Sequence, residues 1–275
     1  LSTIGSEFHH YQYGVKYTKT SDSIQIPDEE GLYIIFYNLG TLQYIKNPND
    51  GQVDSIIRNN PTVAYIYWNA ADKKAEYLGN ELHMIEMDAH THAYLHFAFR
   101  TRYLTGLTPN TISADASGNL ATSAQFGMDS GMIVDEDIPT MTPSVLSTTG
   151  LPIFYLSGTE ASPTLRSIIN PGYSVATTGT GRLAFNTLSA GNWVLQESLN
   201  GDFVCCHVIA VNDNRNSYRV VAFMGQVNYT TLTNARYGAL TELQTLRTVG
   251  ILPQEVKAIA TFIFETNNTY TNAVK

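Results

Sequence analysis

The stretch FVCCHVIAV, residues Phe203–Val211, is the segment that decides the fold class. It is a run of strand-favouring residues, and a second such run, Tyr218–Met224, follows it closely. Between them lies Asn212–Ser217, a segment of Asn, Asp, Arg and Ser that is typical of a connecting turn. Two apolar runs on either side of a turn predict a β-hairpin.

Strand signals continue on both sides of this hairpin. Alternation of apolar and polar residues, or a short apolar run, marks each predicted strand. Val63–Trp68 and Ala75–Leu78 additionally flank a turn, which predicts a second hairpin. The other predicted strands are Tyr11–Tyr17, Ser23–Ile26, Leu32–Tyr37, Ile153–Leu156, Asn192–Leu195 and Val256–Phe264. The last of these is apolar on both faces, so we expect it to be buried on both.

Two helices interrupt the strands. Asp88 is a predicted N-cap and Gly106 a predicted stop, which together indicate a helix over Ala89–Thr105. Near the C-terminus, apolar residues at helical spacing between Ala239 and Leu246 predict a second helix. The fold class expected is therefore mainly β, with two β-sandwich-like domains joined by an α-helix. We predict an N-terminal small β domain over 1–83, a linking helix over 84–106 and a C-terminal β-rich domain over 107–275.

Charge and cysteine content limit the partners of the chain. The net charge is −8 and Lys and Arg form no cluster, so neither nucleic acid nor an anionic membrane surface is expected as a partner. No apolar run approaches the roughly 20 residues that span a bilayer, so we expect no membrane insertion. The two cysteines, Cys205 and Cys206, are adjacent and point to opposite faces of a strand. We expect both to be reduced core or interface residues.

A group of histidines is the strongest local signal for chemistry. His92 and His96 are spaced i, i+4, which puts two imidazoles on one face of the predicted helix, as metal ligation requires. Ala93 stands where a zinc hydrolase carries its catalytic Glu, so no general base accompanies the pair. His83, Asp88 or a symmetry-related subunit could supply a third ligand. The alternative is that these histidines, with His90, form hydrogen bonds at a domain or subunit junction and that the chain has no cofactor.

Four other motifs resemble functional sites, but their surroundings indicate ordinary structure. Asp135–Asp137 lacks the spaced ligands of a calcium loop, which indicates a solvated turn before a proline. Gly179–Ala184 has the glycines of a dinucleotide loop without the flanking strand and helix, and Gly172–Ala176 resembles a nucleophile elbow only faintly. Cys205 and His207 share a face in a run too apolar to favour a thiolate. We therefore predict no catalytic residues and no enzymatic activity.

The segment Glu81–His96 resembles a recurrent stretch of predicted tail-fibre and other virion proteins of tailed phages. In that family a hairpin leads into a His-Gly element and then into Thr-His-x-Tyr-Leu-His on a helix, which Thr91–His96 matches. Met84 departs from the pattern, because the family has Gly there. Shorter similarities cover much of the remaining chain, at Phe8–Lys19, Ile24–Tyr37, Ala64–Asn69, Val134–Asp137, Ile153–Tyr155, Met224–Gln226 and Tyr270–Asn272.

This resemblance implies a structural protein of the phage virion, a tail-fibre or adhesin-type module for assembly and host-surface attachment. It implies a homo-oligomer, a trimer, with other virion proteins and a host cell-surface glycan as further partners in receptor binding. One alternative is a purely architectural baseplate, collar or capsid-decorating subunit. Another is a glycan-cleaving tailspike enzyme, which would need a cleft with two carboxylates roughly 5–10 Å apart.

Overall fold

The computed structural model describes residues 7–84, 86–112, 125–169 and 181–269. The chain is mainly β, as predicted, with three α-helices among these residues. The helices are α1 (Asp50–Asn59), α2 (Ala89–Ala98) and α3 (Leu232–Thr245). In chain order the strands are β1 (Phe8–Gln12), β2 (Val15–Lys19), β3 (Gly31–Asn38), β4 (Thr41–Lys46), β5 (Thr62–Asn69), β6 (Lys74–Asn80), β7 (Thr101–Gly106), β8 (Pro109–Asn110), β9 (Gly127–Met128), β10 (Gly131–Asp135), β11 (Ile138–Thr142), β12 (Ile153–Thr159), β13 (Ser162–Ile168), β14 (Ala184–Ser189), β15 (Asn192–Glu197), β16 (Phe203–Val211), β17 (Val220–Tyr229) and β18 (Val256–Glu265).

The largest sheet is built around the predicted hairpin. Its strands run in the order β14-β15-β12-β17-β16-β18, with β13 paired to β12, and β16 and β17 pair antiparallel as expected. Eight of the nine residues of β16 are buried. Helix α3 contacts one side of the sheet, and core residues of other elements also pack against β16. The apolar run in the sequence is therefore the centre of the fold.

A second sheet, in the order β4-β3-β5-β6, packs against the first. One hydrophobic cluster contains Tyr65 and Tyr67 from this sheet together with Phe154, Leu156 and Val221 from the large sheet. The Tyr67 hydroxyl also accepts a hydrogen bond of 3.0 Å from the backbone N–H of Leu165. The division of the chain into two domains stays a prediction, but its two largest sheets share a core.

A third sheet, in the order β11-β10-β7, corrects the predicted length of the linking helix. The prediction of a helix reaching Thr105 is wrong, because α2 ends at Ala98 and Arg100 adopts a left-handed φ of 53°. Residues from Thr101 onward instead form β7, which pairs antiparallel with β10. Residues such as Thr101, Tyr103 and Leu104 favour a strand when a partner strand is available. Here the partner is β10, which lies about 30 positions later in the chain.

Three further predictions about single elements are also wrong. Tyr11–Tyr17 is a hairpin and not one strand, because Tyr13 and Gly14 both take positive φ and turn the chain. Ser23–Ile26 forms no strand. The strand over Val256–Phe264 exists as β18 but lies at the edge of its sheet, so most of its residues are only half-buried.

Two further predictions about local structure are confirmed, and three of the segments discussed lie wholly or partly outside the described residues. Both cysteines are free and buried, and the C-terminal helix exists as α3, although it begins and ends earlier than expected. Gly172–Ala176, the first two residues of Gly179–Ala184 and Tyr270–Asn272 are not among the described residues. A membrane-crossing helix would have to be longer and more apolar than any helix in the described ranges.

Candidate metal centre

Helix α2 brings the two predicted histidines together. Asp88 caps the helix, since its carboxylate accepts a hydrogen bond of 2.8 Å from the backbone N–H of Thr91. One turn of helix then separates His92 from His96, whose ring centroids lie 5.7 Å apart. Both side chains are buried, and His96 is only 1% exposed, whereas His90 on the same helix faces solvent. The Asp88 carboxylate caps the helix and is not among the ligand atoms that converge on these histidines.

Two carboxylates from other parts of the chain complete this group. Glu81 directly follows β6, and one of its oxygens lies 3.0 Å from Nε2 of His92. Glu136 lies in the turn between β10 and β11, and its Oε1 is 2.9 Å from Nδ1 of His96 and 3.4 Å from Nε2 of His92. The four ligand atoms all lie within 4.8 Å of one another. We call Glu81, His92, His96 and Glu136 the four-residue centre.

The backbone at Glu136 is held in an uncommon conformation. Its φ of 51° lies in the left-handed region, which costs a residue with a side chain roughly 1–2 kcal/mol. Asp135 pairs with Ile138 across the two-residue turn, so the strands β10 and β11 impose this geometry. The turn directs the Glu136 carboxylate into the centre, where its side chain is 4% exposed.

A second layer of polar groups surrounds the centre. Oε1 of Glu255 lies 3.2 Å from Nδ1 of His96, so this nitrogen faces two carboxylates. Asp135 accepts hydrogen bonds from the hydroxyl of Thr101 at 2.7 Å and from the amide of Asn212 at 2.5 Å. These contacts connect the centre to β7 and to the end of β16.

His83 stands at the outer side of the centre. Its Nδ1 lies 3.1 Å from Asp137 and 3.5 Å from Oε2 of Glu136. The ring meets that of His92 edge to face, with 4.8 Å between centroids. The sequence named His83 as a possible third ligand, and the structure places it beside the four-residue centre.

The protonation of the centre follows from burial and from the paired charges. Burial disfavours the charged form of His92, but hydrogen bonds with Glu136 and Glu81 outweigh it and raise the pKa of His92 to about 10. Burial also disfavours ionised Glu136, yet its hydrogen bonds with His92 and His96 lower the pKa of this carboxyl to about 2. These two shifts favour a protonated His92, an imidazolium, next to an ionised Glu136 carboxylate.

The two acidic residues behind the centre show the opposite shift. Burial, with the charge of Glu81, raises the pKa of Asp135 to about 6 against the hydrogen bonds from Thr101 and Asn212. Burial also raises the pKa of Glu255 well above its ordinary value, and the charge of Asp135 adds to this effect. Negative charge is therefore in excess in this region, and protons or another cation must balance it.

A cleft of 280 Å³ opens next to the centre. Glu81, His83 and His92 line one side of it, and His10 and Tyr11 from β1 line another. The centre is thus buried on the side of Glu255 and borders a small open space on the side of Glu81. Larger cavities, of 610, 570 and 480 Å³, lie elsewhere and are lined by none of the residues of the four-residue centre.

A second polar group lies in the large sheet under α3. Cys205 and His207 share a face of β16, as expected, and Glu242 of α3 approaches them with 3.6 Å between its Oε1 and Nε2 of His207. Glu242 already accepts hydrogen bonds from the Gln226 N–H and the Tyr229 hydroxyl. Burial, followed by the charge of Glu242, raises the pKa of the Cys205 thiol, which disfavours a reactive thiolate.

Two of the four residues of the centre, His92 and His96, were predictable from their helical spacing. The two carboxylates, Glu81 and Glu136, were not predicted. The interpretation of Asp135–Asp137 as a solvated turn is wrong, since Asp135 and Glu136 are buried and Glu136 contacts the two histidines. The acidic run was a visible signal, but its partners lie about 40 positions earlier in the chain.

No protein-family model, no curated protein and no solved structure matches this chain.

Proposed function

We propose that the chain is a structural module of a tailed-phage virion, of the tail-fibre or adhesin type, that works through its surfaces. The observation that carries this proposal is an apolar strip on the outer face of the three-stranded sheet. Met132 pairs with Met141, and Val134 pairs with Pro139, so all four side chains project from the same face. Met141 is 55% exposed. We call these four residues the outer strip.

The neighbouring strand carries a further exposed apolar residue. Leu104 is the unpaired residue of β7 at the irregularity between the partners of Met132 and Ile133, and it is 53% exposed. A contiguous exposed apolar area on a soluble domain marks a surface that another protein covers. A subunit of an assembled particle has such surfaces, because each copy buries them against its neighbours. The phage assignment itself rests on the resemblance of Thr91–His96 and the other short segments.

Helix α3 offers a second surface of this kind. Its residues Tyr237 and Leu240 are spaced i, i+3, so they lie on one face, and both are exposed. The side of α3 facing the sheet is formed by Ala235, Gly238 and Glu242. The helix therefore packs mainly through small and polar residues and leaves Tyr237 and Leu240 exposed. This pattern supports an assembly role for either an adhesin or a purely architectural subunit.

Labelling of intact particles tests the proposal directly. Antibodies raised against the purified chain should decorate particles at one defined position, and binding of the particles to host cells should fall when the antibodies are added. Decoration without loss of binding would favour the architectural baseplate, collar or capsid-decorating subunit. No decoration of intact or partially disassembled particles would contradict both.

A second candidate, the cleavage of a host glycan, has one feature in its favour, a cleft bordered by a carboxylate, and one feature against it, the spacing of the two carboxylates. Glu81 borders this cleft, and a second carboxylate, Glu136, lies near it. Their ligand oxygens lie within 4.8 Å of each other, which is closer than the roughly 5–5.5 Å of a retaining glycosidase. Release of reducing sugar from host polysaccharide, abolished by Glu81→Gln, would establish this activity. Under the first proposal no sugar is released.

A further inference from the structure

We propose that Glu81, His92, His96 and Glu136 bind one divalent transition-metal ion of the zinc class. The proposal does not depend on a role in a virion, because it concerns only the chemistry of the four-residue centre. Two imidazoles and two carboxylates form a ligand set that zinc accepts.

The spacing of the ligand atoms suits a tetrahedral ion. With metal–ligand bonds of 2.0–2.2 Å, the ligand atoms of a tetrahedral zinc site lie about 3.3 Å from one another. Three histidine–carboxylate pairs in the centre are 2.9, 3.0 and 3.4 Å apart, and all four ligand atoms lie within 4.8 Å of one another. These atoms come from β6, α2 and the β10–β11 turn, so the convergence is a property of the tertiary fold and not of one helix.

Hydrogen bonds alone leave the centre incompletely satisfied. Nε2 of His92 faces oxygens of Glu81 and Glu136, and Nδ1 of His96 faces oxygens of Glu136 and Glu255. An imidazole nitrogen carries at most one proton, so it cannot donate fully to two carboxylates. A metal ion at the shared position would contact the nitrogens and the oxygens at once.

Two buried oxygens give an independent indication. Oε1 of Glu81 and Oε2 of Glu136 have no hydrogen-bond partner among the described residues, although Nδ1 of His83 lies 3.5 Å from the latter. Their side chains are 3% and 4% exposed, so water does not replace a partner from the bulk. Unpartnered buried carboxylate oxygens are costly, and bidentate or bridging contact with a cation would satisfy them.

Charge points in the same direction. Four carboxylates, of Glu81, Glu136, Asp137 and Glu255, contact only three histidines in this region. A buried excess of negative charge is unfavourable unless protons or a cation compensate it, and a bound metal ion would supply that compensation without protonating the carboxylates. The hydroxyl of Thr62 lies 3.5 Å from Nδ1 of His92, where a metal-binding histidine commonly has an orienting partner.

Metal analysis of the full chain tests the proposal. The tag-free protein is stripped with EDTA, re-equilibrated with Zn²⁺, passed over a desalting column and analysed by plasma mass spectrometry. We expect one zinc per chain, a melting temperature above that of the stripped protein, and visible d–d absorption of four-coordinate Co²⁺ after cobalt substitution.

Near-isosteric variants identify the ligands. Glu136→Gln and His96→Gln should each weaken zinc binding at least about 100-fold in a chelator competition, because even outer partners of a metal site contribute 10–100-fold. His90→Gln, on the exposed face of the same helix, should bind zinc like the wild type.

The proposal is overturned if wild-type protein keeps no stoichiometric metal, or if Glu136→Gln and His96→Gln bind zinc as tightly as wild type. Should these variants fail to fold, the cobalt spectrum of the wild type decides, and an octahedral, water-like spectrum would overturn the proposal.

Discussion

His10 is buried between two tyrosine rings, and this placement determines how it responds to acid. Its ring stacks on Tyr37 with 3.9 Å between centroids and on Tyr17 with 5.2 Å. Neither ring nitrogen has a hydrogen-bond partner among the described residues. Burial, with the charge of Lys19, lowers the pKa of His10 to about 4, whereas an unfolded chain keeps it near 6.5.

This lowered pKa predicts a loss of stability in acid. The unfolded state binds the proton first, so His10 destabilises the fold as the pH falls from about 6.5 towards about 4. The loss between pH 7.5 and pH 5 is at most about 2 kcal/mol. We expect His10→Phe, which keeps the stacking, to remove this part of the pH dependence in urea unfolding. His90→Gln is the matched control, and parallel pH profiles for His10→Phe and wild type would contradict the account.

Residues of the candidate site that lie close together in the sequence could be predicted, whereas those that lie far from the histidines in the sequence could not. His92 and His96 follow from helical spacing alone. Glu81 and Glu136 reach the same point only because β6 and the β10–β11 turn both end beside α2. An acidic run in a turn has the same local pattern whether it is solvated or buried, so Asp135–Asp137 could not be distinguished by its sequence.

Helix α1 shows how one local pattern can support two elements. Asn47-Pro48-Asn49-Asp50-Gly51 carries the residues of a turn, and the structure uses Asn49 as a helix N-cap instead. The Asn49 side chain accepts from the Gln52 N–H at 3.0 Å, and the Gln52 side chain accepts from the Asn49 N–H at 3.0 Å. Turns and helix starts favour the same residues, since both need a polar side chain to bond the backbone.

This capping box gives a prediction for an element that the sequence missed. Asn49→Ala should lower the free energy of unfolding by about 1 kcal/mol, because it removes the acceptor for the Gln52 N–H. Asn49→Asp keeps an acceptor and should remain close to wild type. Urea unfolding followed by circular dichroism measures both, and equal stability of Asn49→Ala and wild type would show that the cap does not hold α1.

The strands were predictable where their partners follow directly in the chain. The β5–β6 and β16–β17 hairpins were both expected from two runs around a turn. The pairing of β7 with β10 and the parallel pairing of β12 with β17 join distant segments, and periodicity contains no information about such partners. This is why the end of α2 was placed too late.

For the whole molecule, the outer strip should determine assembly without determining folding. Met141→Asp places a charge in the middle of the strip and should dissociate the assembled protein into single chains. The stability of the single chain should change by no more than about 0.5 kcal/mol, because Met141 is exposed. Size-exclusion chromatography with light scattering reads the assembly state. Leu199→Asp, at an exposed apolar residue outside the strip, should leave assembly intact, and dissociation by both variants would argue against a specific interface.

The most direct test of the account is the mass of the unmodified full chain in solution, measured by native mass spectrometry over a range of concentrations. A virion module that works through the outer strip should give a species of three chains. A single chain at every concentration would contradict the proposed role in assembly.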